Sequence, residues 1–324
     1  MKRKVTIRDV AYLAGVSIST VSRVVSNKVN VNESTRQKVQ KAIDQTGYEP
    51  NYTARALATK NTDTIAVIID RSPTLSLGNS FFIDSLEAIS TKLNEYKKDI
   101  LLVFSEANYS DEHSKVKSLI QSNKIDGVIK LSVQRNDETI KYLVSTGIPT
   151  VVIGRPNEDV LYVNNDNTLA MKEATEYLIS QGGKKIAFVG GNSKLVVTLD
   201  REQGFREALD KADIYYDDSY IYYEGFTIDS GYKIADTLIE NNFDSVACTD
   251  DLIAYGIAKR YNEKGKKIKI ISFNNTLLSE FSPIPISSVD IDAKKLGKEA
   301  VELLLGENNN KKHSIIDTNI IFRS

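Results

Sequence analysis

Cysteine is almost absent, with Cys248 alone among 324 residues. One thiol closes no intramolecular disulfide and supplies no zinc knuckle. Tryptophan is missing, and the two histidines, His113 and His313, lie far apart and outside any metal-ligand spacing. No apolar run approaches the roughly 20 residues of a membrane span; Val151–Gly154 after Pro149 is a representative run. The basic start, Met1-Lys2-Arg3-Lys4, leads into mixed polar sequence rather than the apolar core of a signal peptide. A soluble cytoplasmic protein, with no membrane partner, is the expectation. Phosphate loops are lacking too. Gly182-Gly183-Lys184-Lys185 has neither the spacing nor the hydroxyl of one, and no Gly-x-Gly-x-x-Gly follows a strand. Asp250-Asp251 looks like a carboxylate pair, but adjacent side chains diverge and Asp251 suits a helix start. Neither an enzyme activity nor a cofactor or metal is expected.

What is present is an uneven distribution of charge. Residues 1–60 carry 11 Lys/Arg and 4 Asp/Glu, a net of +7, which leaves −8 for the remainder. A basic head on an acidic body points to a polyanion met by the head alone. The 41% hydrophobic fraction is enough for packed cores, and the length suits two or three units.

The head reads as helical throughout. Thr6-Ile7-Arg8-Asp9 opens a helix, with Thr6 as cap and Asp9 three residues on. Ile7, Val10, Ala11 and Ala14 share one face, and Gly15 ends the run. Ser17 caps a second helix from Ile18 to about Ser26, in which Val21, Val24 and Val25 face inward and Ile18, Ser19, Ser22 and Arg23 outward. A third helix follows Asn32 and stops at Gly47. Two helices joined at a short glycine turn make the DNA-binding helix-turn-helix, whose second helix enters the major groove. The hydroxyls of Ser17, Ser19, Thr20 and Ser22 permit close approach and donate to phosphates, and Arg23 reads guanine or a phosphate.

Thr6-Ile7-Arg8-Asp9-Val10-Ala11, Ala14-Gly15-Val16-Ser17, Thr20-Val21-Ser22-Arg23-Val24 and Gly47-Tyr48-Glu49-Pro50-Asn51 resemble the headpiece of the lactose-repressor (LacI/GalR) family of bacterial transcription regulators. The resemblance implies a headpiece over residues 1–50, a hinge helix over 51–60 and a receptor body over 61–324. It adds DNA contacts at Thr6, Asn27, Tyr52, Ala54 and Arg55, and a wedge at Leu57 that kinks the minor groove. Residues 51–60 make about two turns, too short to be stable alone in water. Tyr52 stands where the family more often has a smaller residue.

Beyond Asn61, apolar runs alternate with amphipathic stretches. Strands are expected at Thr64–Asp70, Ile100–Phe104, Gly127–Leu131, Thr150–Ile153, Lys185–Val189, Ser219–Tyr222, Ser245–Cys248 and Ile268–Ser272. Helices are expected between them, including Phe82–Tyr96, Leu169–Gln181, Arg201–Lys211, Ser230–Asn241 and Asp251–Lys264. Ala293–Leu305 then reads as a helix and His313–Phe322 as a final strand. Such alternation gives α/β lobes with doubly wound parallel sheets. The pattern resembles the two-lobed, periplasmic-binding-protein-like body of the same family. That implies a first lobe of about 61–161 plus 292–312 and a second of about 164–289 plus 313–324. The crossings fall near 161–163, 289–292 and 312–320.

Ligands of open parallel sheets sit beyond the carboxyl ends of the strands. The loops there, including Arg71–Phe82, Gly154–Glu158, Gly190–Arg201 and Thr249–Asp251, hold aromatics, Arg, Asp and amides, an inventory that suits a sugar. The resemblance assigns effector contacts to Phe81, Phe82, Arg201, Phe226, Asp250 and Asn274, the last standing where the family usually has aspartate. Asp166 is a further candidate, although such residues also cap helices. Asn79-Ser80-Phe81-Phe82 and the run from Ile271 to Ile291 resemble maltose-operon repressors of Gram-positive bacteria, which implies a maltose or maltodextrin effector. The polar tail Gly306–Lys312 is no heptad zipper, so a homodimer on double-stranded operator DNA is expected. Two other readings share the body: a sugar-capture protein of a transporter, and a regulator triggered by a phosphorylated protein partner.

Overall fold

The computed structural model describes residues 5–25, 31–48, 61–105, 109–306 and 311–323 and divides into two compact units, residues 1–62 and 63–324. In the first unit, α1 (Ile7–Ala14), α2 (Ile18–Val25) and α3 (Glu33–Thr46) pack around buried Val10, Ala11, Val21, Val24, Val39 and Ala42. Local chemistry sets the helix ends. The Asp9 carboxylate accepts from the Thr6 amide at 2.8 Å and the Thr6 hydroxyl at 2.7 Å. Asn32 accepts from the Thr35 amide at 2.8 Å. Gly15 (φ 64°) and Gly47 (φ 62°) end α1 and α3 in the left-handed conformation that a side chain disfavours.

The second unit begins with β1 (Thr64–Ile69), α4 (Ser80–Glu95), β2 (Asp99–Phe104), α5 (Tyr109–Gln121), β3 (Gly127–Lys130), α6 (Glu138–Thr146), β4 (Thr150–Ile153) and β5 (Leu161–Asn165). It continues through α7 (Asn167–Ser180), β6 (Ile186–Gly190), α8 (Val196–Lys211), β7 (Ile221–Tyr223), α9 (Ile228–Glu240), β8 (Ser245–Cys248), α10 (Asp251–Glu263), β9 (Lys269–Phe273) and β10 (Ile286–Asp290). It closes with α11 (Ala293–Leu304), β11 (His313–Ile316) and β12 (Asn319–Ile321). The first sheet runs β11-β5-β4-β3-β1-β2, all parallel. The second runs β12-β10-β9-β8-β6-β7, parallel except where β12 meets β10. Helices cover both faces, so Ile65–Ile69 and Ile186–Gly190 are buried along their length, as strands between two helical layers must be. Among the described residues no helix is long and apolar enough to cross a membrane.

The structure corrects the sequence reading at the lobe crossings. β5 and β10 were not expected as strands, because they end on Asn164-Asn165 and carry Ser287-Ser288, which lower their apolar signal. The first sheet therefore keeps the chain through Asn165, past the crossing placed at 161–163. The single strand expected over His313–Phe322 is two. Residues 313–316, assigned to the second lobe from sequence, pair with β5 in the first sheet, and only β12 joins the second. A 3-10 turn at Asp218–Tyr220, seeded by Asp217 accepting from the Ser219 amide at 2.8 Å, displaces the strand expected at Ser219–Tyr222 to Ile221–Tyr223. The helix holding Arg201 begins five residues earlier than expected, at Val196.

Two buried polar clusters organise this unit. Asn165 donates from one amide nitrogen to the carbonyls of Ile291 (3.1 Å) and Ile316 (2.9 Å), so a single side chain ties the three crossing segments together. Lys130, at the end of β3, has no solvent exposure; its Nζ lies 2.9 Å from Glu112 and 3.5 Å from Asp137. Burial works against its charge, but Glu112, Asp137 and Asp70 outweigh it and hold the ammonium above the usual lysine range. Lys130→Met would leave those carboxylates buried without a counter-charge, so a loss of about 3 to 5 kcal/mol is expected in urea unfolding. A loss below about 1 kcal/mol, the size of an exposed pair, would contradict the assignment.

Candidate functional sites: a helix face and an inter-lobe cleft

The second helix of the head exposes the side chains that its amphipathic pattern implies. Ser17 stands before α2 and accepts from the Thr20 amide at 3.1 Å, and its hydroxyl lies 2.8 Å from those of Ser19 and Thr20. Ser17, Ile18, Ser19 and Arg23 are exposed, Thr20 and Ser22 half-buried, and Val21 and Val24 buried. Thr6 is exposed at the start of α1. Asn27, Tyr52, Ala54, Arg55, Leu57 and the hinge at 51–60 lie outside the described residues.

In the body, the carboxyl ends of the strands face a cavity of about 90 Å³ between the lobes. That is room for several waters. Arg201 enters from α8, buried, and donates through Nε to Asn167 (2.9 Å) and through Nη1 to the Thr249 carbonyl (2.6 Å). Its guanidinium lies 3.8 Å from the Phe273 ring centre. Among the described residues no acceptor meets Nη2. Burial presses its pKa down to about 9 while Asp250, Asp200 and Asp251 pull the other way, so it remains a cation at neutral pH.

Asp250 sits at the meeting of the lobes. One oxygen caps α10 by accepting from the Leu252 amide at 2.8 Å. The other accepts from Asn79 of the first lobe (2.8 Å) and from Asn274 of the second (3.0 Å). Burial pushes its carboxyl up to about 6, against the Leu252 and Asn79 donors. Asn274 takes a left-handed backbone conformation (φ 97°), which asparagine tolerates better than most residues. An amide there donates to Asp250 where an aspartate would repel it. Asp251 turns away and accepts from Ser288 (2.8 Å), Ser272 and the Thr276 amide (2.7 Å).

An edge of the Phe226 ring packs against Gly191, where a Cβ would stand 1.9 Å from Cε2, so only glycine leaves the ring its seat. Phe82 is buried, with Phe81 edge-on at 5.0 Å, and both reach the cavity wall. Asp166 does not. It is exposed and caps α7 through the Leu169 amide at 2.9 Å, while its neighbours Asn165 and Asn167 line the cavity. The helix start claims the aspartate, which removes it from the set read from sequence.

Several cavity residues were not singled out from sequence: Arg71, Asn79, Arg155, Asn167 and Asp200. Arg71 and Arg155 fall in loops that the strand ends already marked, which was the available signal. The partners that cross the cleft, Asp200 for Arg155 and Phe226 for Arg71, were invisible because they come from the other lobe. Arg155 clasps Asp200 through Nε (3.1 Å) and Nη2. The backbones also bridge, Val196 to Val133 and Arg135 to Lys194, each at 3.0 Å. Among the described residues no cluster of three metal-ligating side chains occurs.

A helix-turn-helix head and a two-lobed α/β body with a polar and aromatic cavity define a DNA-binding regulator with a receptor domain. Residues 6–51 match the model for bacterial regulatory proteins of the lacI family, and residues 175–324 match a periplasmic binding protein-like domain. The chain is 30% identical over 336 residues to the transcriptional regulator CelR of Thermobifida fusca, covering 99% of this chain and 98% of that one. It is 32% identical over 318 residues to MalR of Streptococcus pneumoniae, covering 96% and 94%. A solved CelR–cellobiose complex superposes with a TM-score of 0.75 at 28% identity, over 99% of each chain. This chain belongs to the LacI family of bacterial transcriptional regulators.

The pH behaviour of Asp250 has a definite sign. A carboxyl raised from 3.8 to about 6 on folding binds its proton more tightly in the folded state. That contribution is present below the unfolded value and is lost as pH rises through the folded one. The stability of the wild type relative to Asp250→Asn is therefore expected to fall between pH 4 and 7 in denaturant titrations. A pH-independent difference would contradict the shift.

Proposed function

We propose that this regulator is a repressor that binds operator DNA as a homodimer and is controlled by a small saccharide in the inter-lobe cleft. The observation that carries the reading is the convergence of Arg201, Asp250, Asn274 and Phe226 on one cavity. Forked donors, an acceptor, an amide that does both and an aromatic face are what hydroxyls and the apolar face of a sugar ring require. The names of the relatives support a saccharide: one has a cellobiose complex, and another is named MalR. Maltose or a maltodextrin is the first candidate effector.

On DNA, Ser17 and Ser22 meet phosphates, Ile18, Ser19 and Arg23 meet base edges, and Leu57 senses deformability. A disaccharide bound there competes for the polar groups of the Asn79–Asp250 and Arg155–Asp200 ties that border the cavity. That competition is the route to control, since a ligand shifts a two-state balance only by its difference in affinity for the two states.

Arg23→Ala is expected to reduce discrimination between operator and random DNA by about 1 to 3 kcal/mol per half-site in fluorescence anisotropy. Unchanged discrimination would remove Arg23 from the base-reading set. Arg201→Ala is expected to keep operator binding while losing the response to maltose and cellobiose; a wild-type response would refute its role.

A further inference from the structure

Three arginines line the cleft, and two are committed. Arg155 is clasped by Asp200, and Arg201 is held by Asn167 and Thr249. Arg71, at the end of β1, is different. Its nearest carboxylate oxygen, Asp70 Oδ1, is 4.0 Å from Nε, beyond hydrogen-bonding reach. Asp70 turns instead toward Gln134, 3.5 Å from its other oxygen, and leaves Oδ1 without a hydrogen-bond partner among the described residues. The Arg71 side chain is 17% exposed and lines the cavity. Its guanidinium lies 4.2 Å from the centre of Phe226 in the second lobe and 5.1 Å from that of Phe82 in the first. A guanidinium stacked by its face keeps its N–H edge available. Among the described residues, nothing occupies that edge.

We infer that Arg71 is the specificity-determining donor of the cleft, its fork taking a pair of adjacent ligand oxygens while Phe226 holds its face. The inference rests on the reading of the cleft as a saccharide site. Paired oxygens occur as vicinal hydroxyls of a neutral sugar and as the acid group of a sugar phosphate or uronate, and the fork matches the spacing of either. The Phe226 ring fixes where the guanidinium sits, so the ligand is selected by where its oxygen pair falls relative to Phe226. Lysine at this position would supply charge without the paired geometry.

The test is titration calorimetry on the full-length wild type, Arg71→Lys and Arg71→Met, with maltose, cellobiose, glucose 6-phosphate and glucuronate. For the probe that binds the wild type, Arg71→Met is expected to lose about tenfold to a hundredfold in affinity. Arg71→Lys is expected to recover little of it. Wild-type affinity that falls steeply with salt identifies the acid group as the oxygen pair, and salt-independent affinity identifies hydroxyls. Binding within twofold of wild type in both variants, or full recovery by lysine, would overturn the assignment. So would an affinity loss matched by an equal loss of unliganded stability in thermal unfolding, because that is the signature of packing. A wild type that binds none of the four probes overturns the saccharide reading itself, and the role of Arg71 with it.

Discussion

One carboxylate is shared between the two halves of the body. Asp250 accepts from the first turn of its own helix, from Asn274 beside it and from Asn79 across the cleft. A buried carboxylate without donors is costly, so each of these groups constrains the others. Asn79 is engaged at both ends of its amide. Its oxygen takes the Phe81 amide at 3.0 Å and starts α4 while its nitrogen reaches Asp250. Separation of the lobes therefore exposes an acceptor and a donor that water or a ligand must satisfy. The cleft is held by internal hydrogen bonds whose partners lie in both lobes.

The remaining polar clusters hold the segments around it. The ionic group around Lys130 includes Asp137, which also meets the Gln134 amide at 3.4 Å, and Asp70, which meets the Gln134 side chain. The segment thus anchored, Val133 to Arg135, is the one that bridges to Lys194 and Val196 of the second lobe. A rigid charged cluster in one lobe so presents an edge to the other. Asn165 holds the crossing segments by the carbonyls of Ile291 and Ile316. A hinge needs its strands kept in register while the dihedrals around them change, and side-chain donors to backbone carbonyls provide that.

The head follows a different economy. Its core is six small or branched side chains, and the outward face of α2 carries Ser17, Ile18, Ser19 and Arg23. Small side chains bring the helix axis close to a duplex, where the basic surplus of residues 1–60 adds attraction without regard to base sequence.

The local features were legible from the chain. Thr6 with Asp9, Ser17, Asn32 and the two terminal glycines mark helix ends through contacts within four residues, and the alternating apolar runs announced two parallel-sheet lobes. Arg201, Phe226, Asp250 and Asn274 reach the cavity as their loops suggested, because strand ends locate a cleft. Asp166 went to a cap instead, since a helix start competes for the same side chain. What tertiary structure alone decided is who pairs with whom. Asn79 and Asp250 are 171 residues apart, Arg155 and Asp200 are 45 apart, and the split of the last strand depends on two sheets being side by side. Sequence determined helix ends, strand runs and the chemical inventory, because those obey nearest-neighbour physics. Buried polar pairing does not, because the energy of each group depends on a partner that only the folded chain brings within 3 Å.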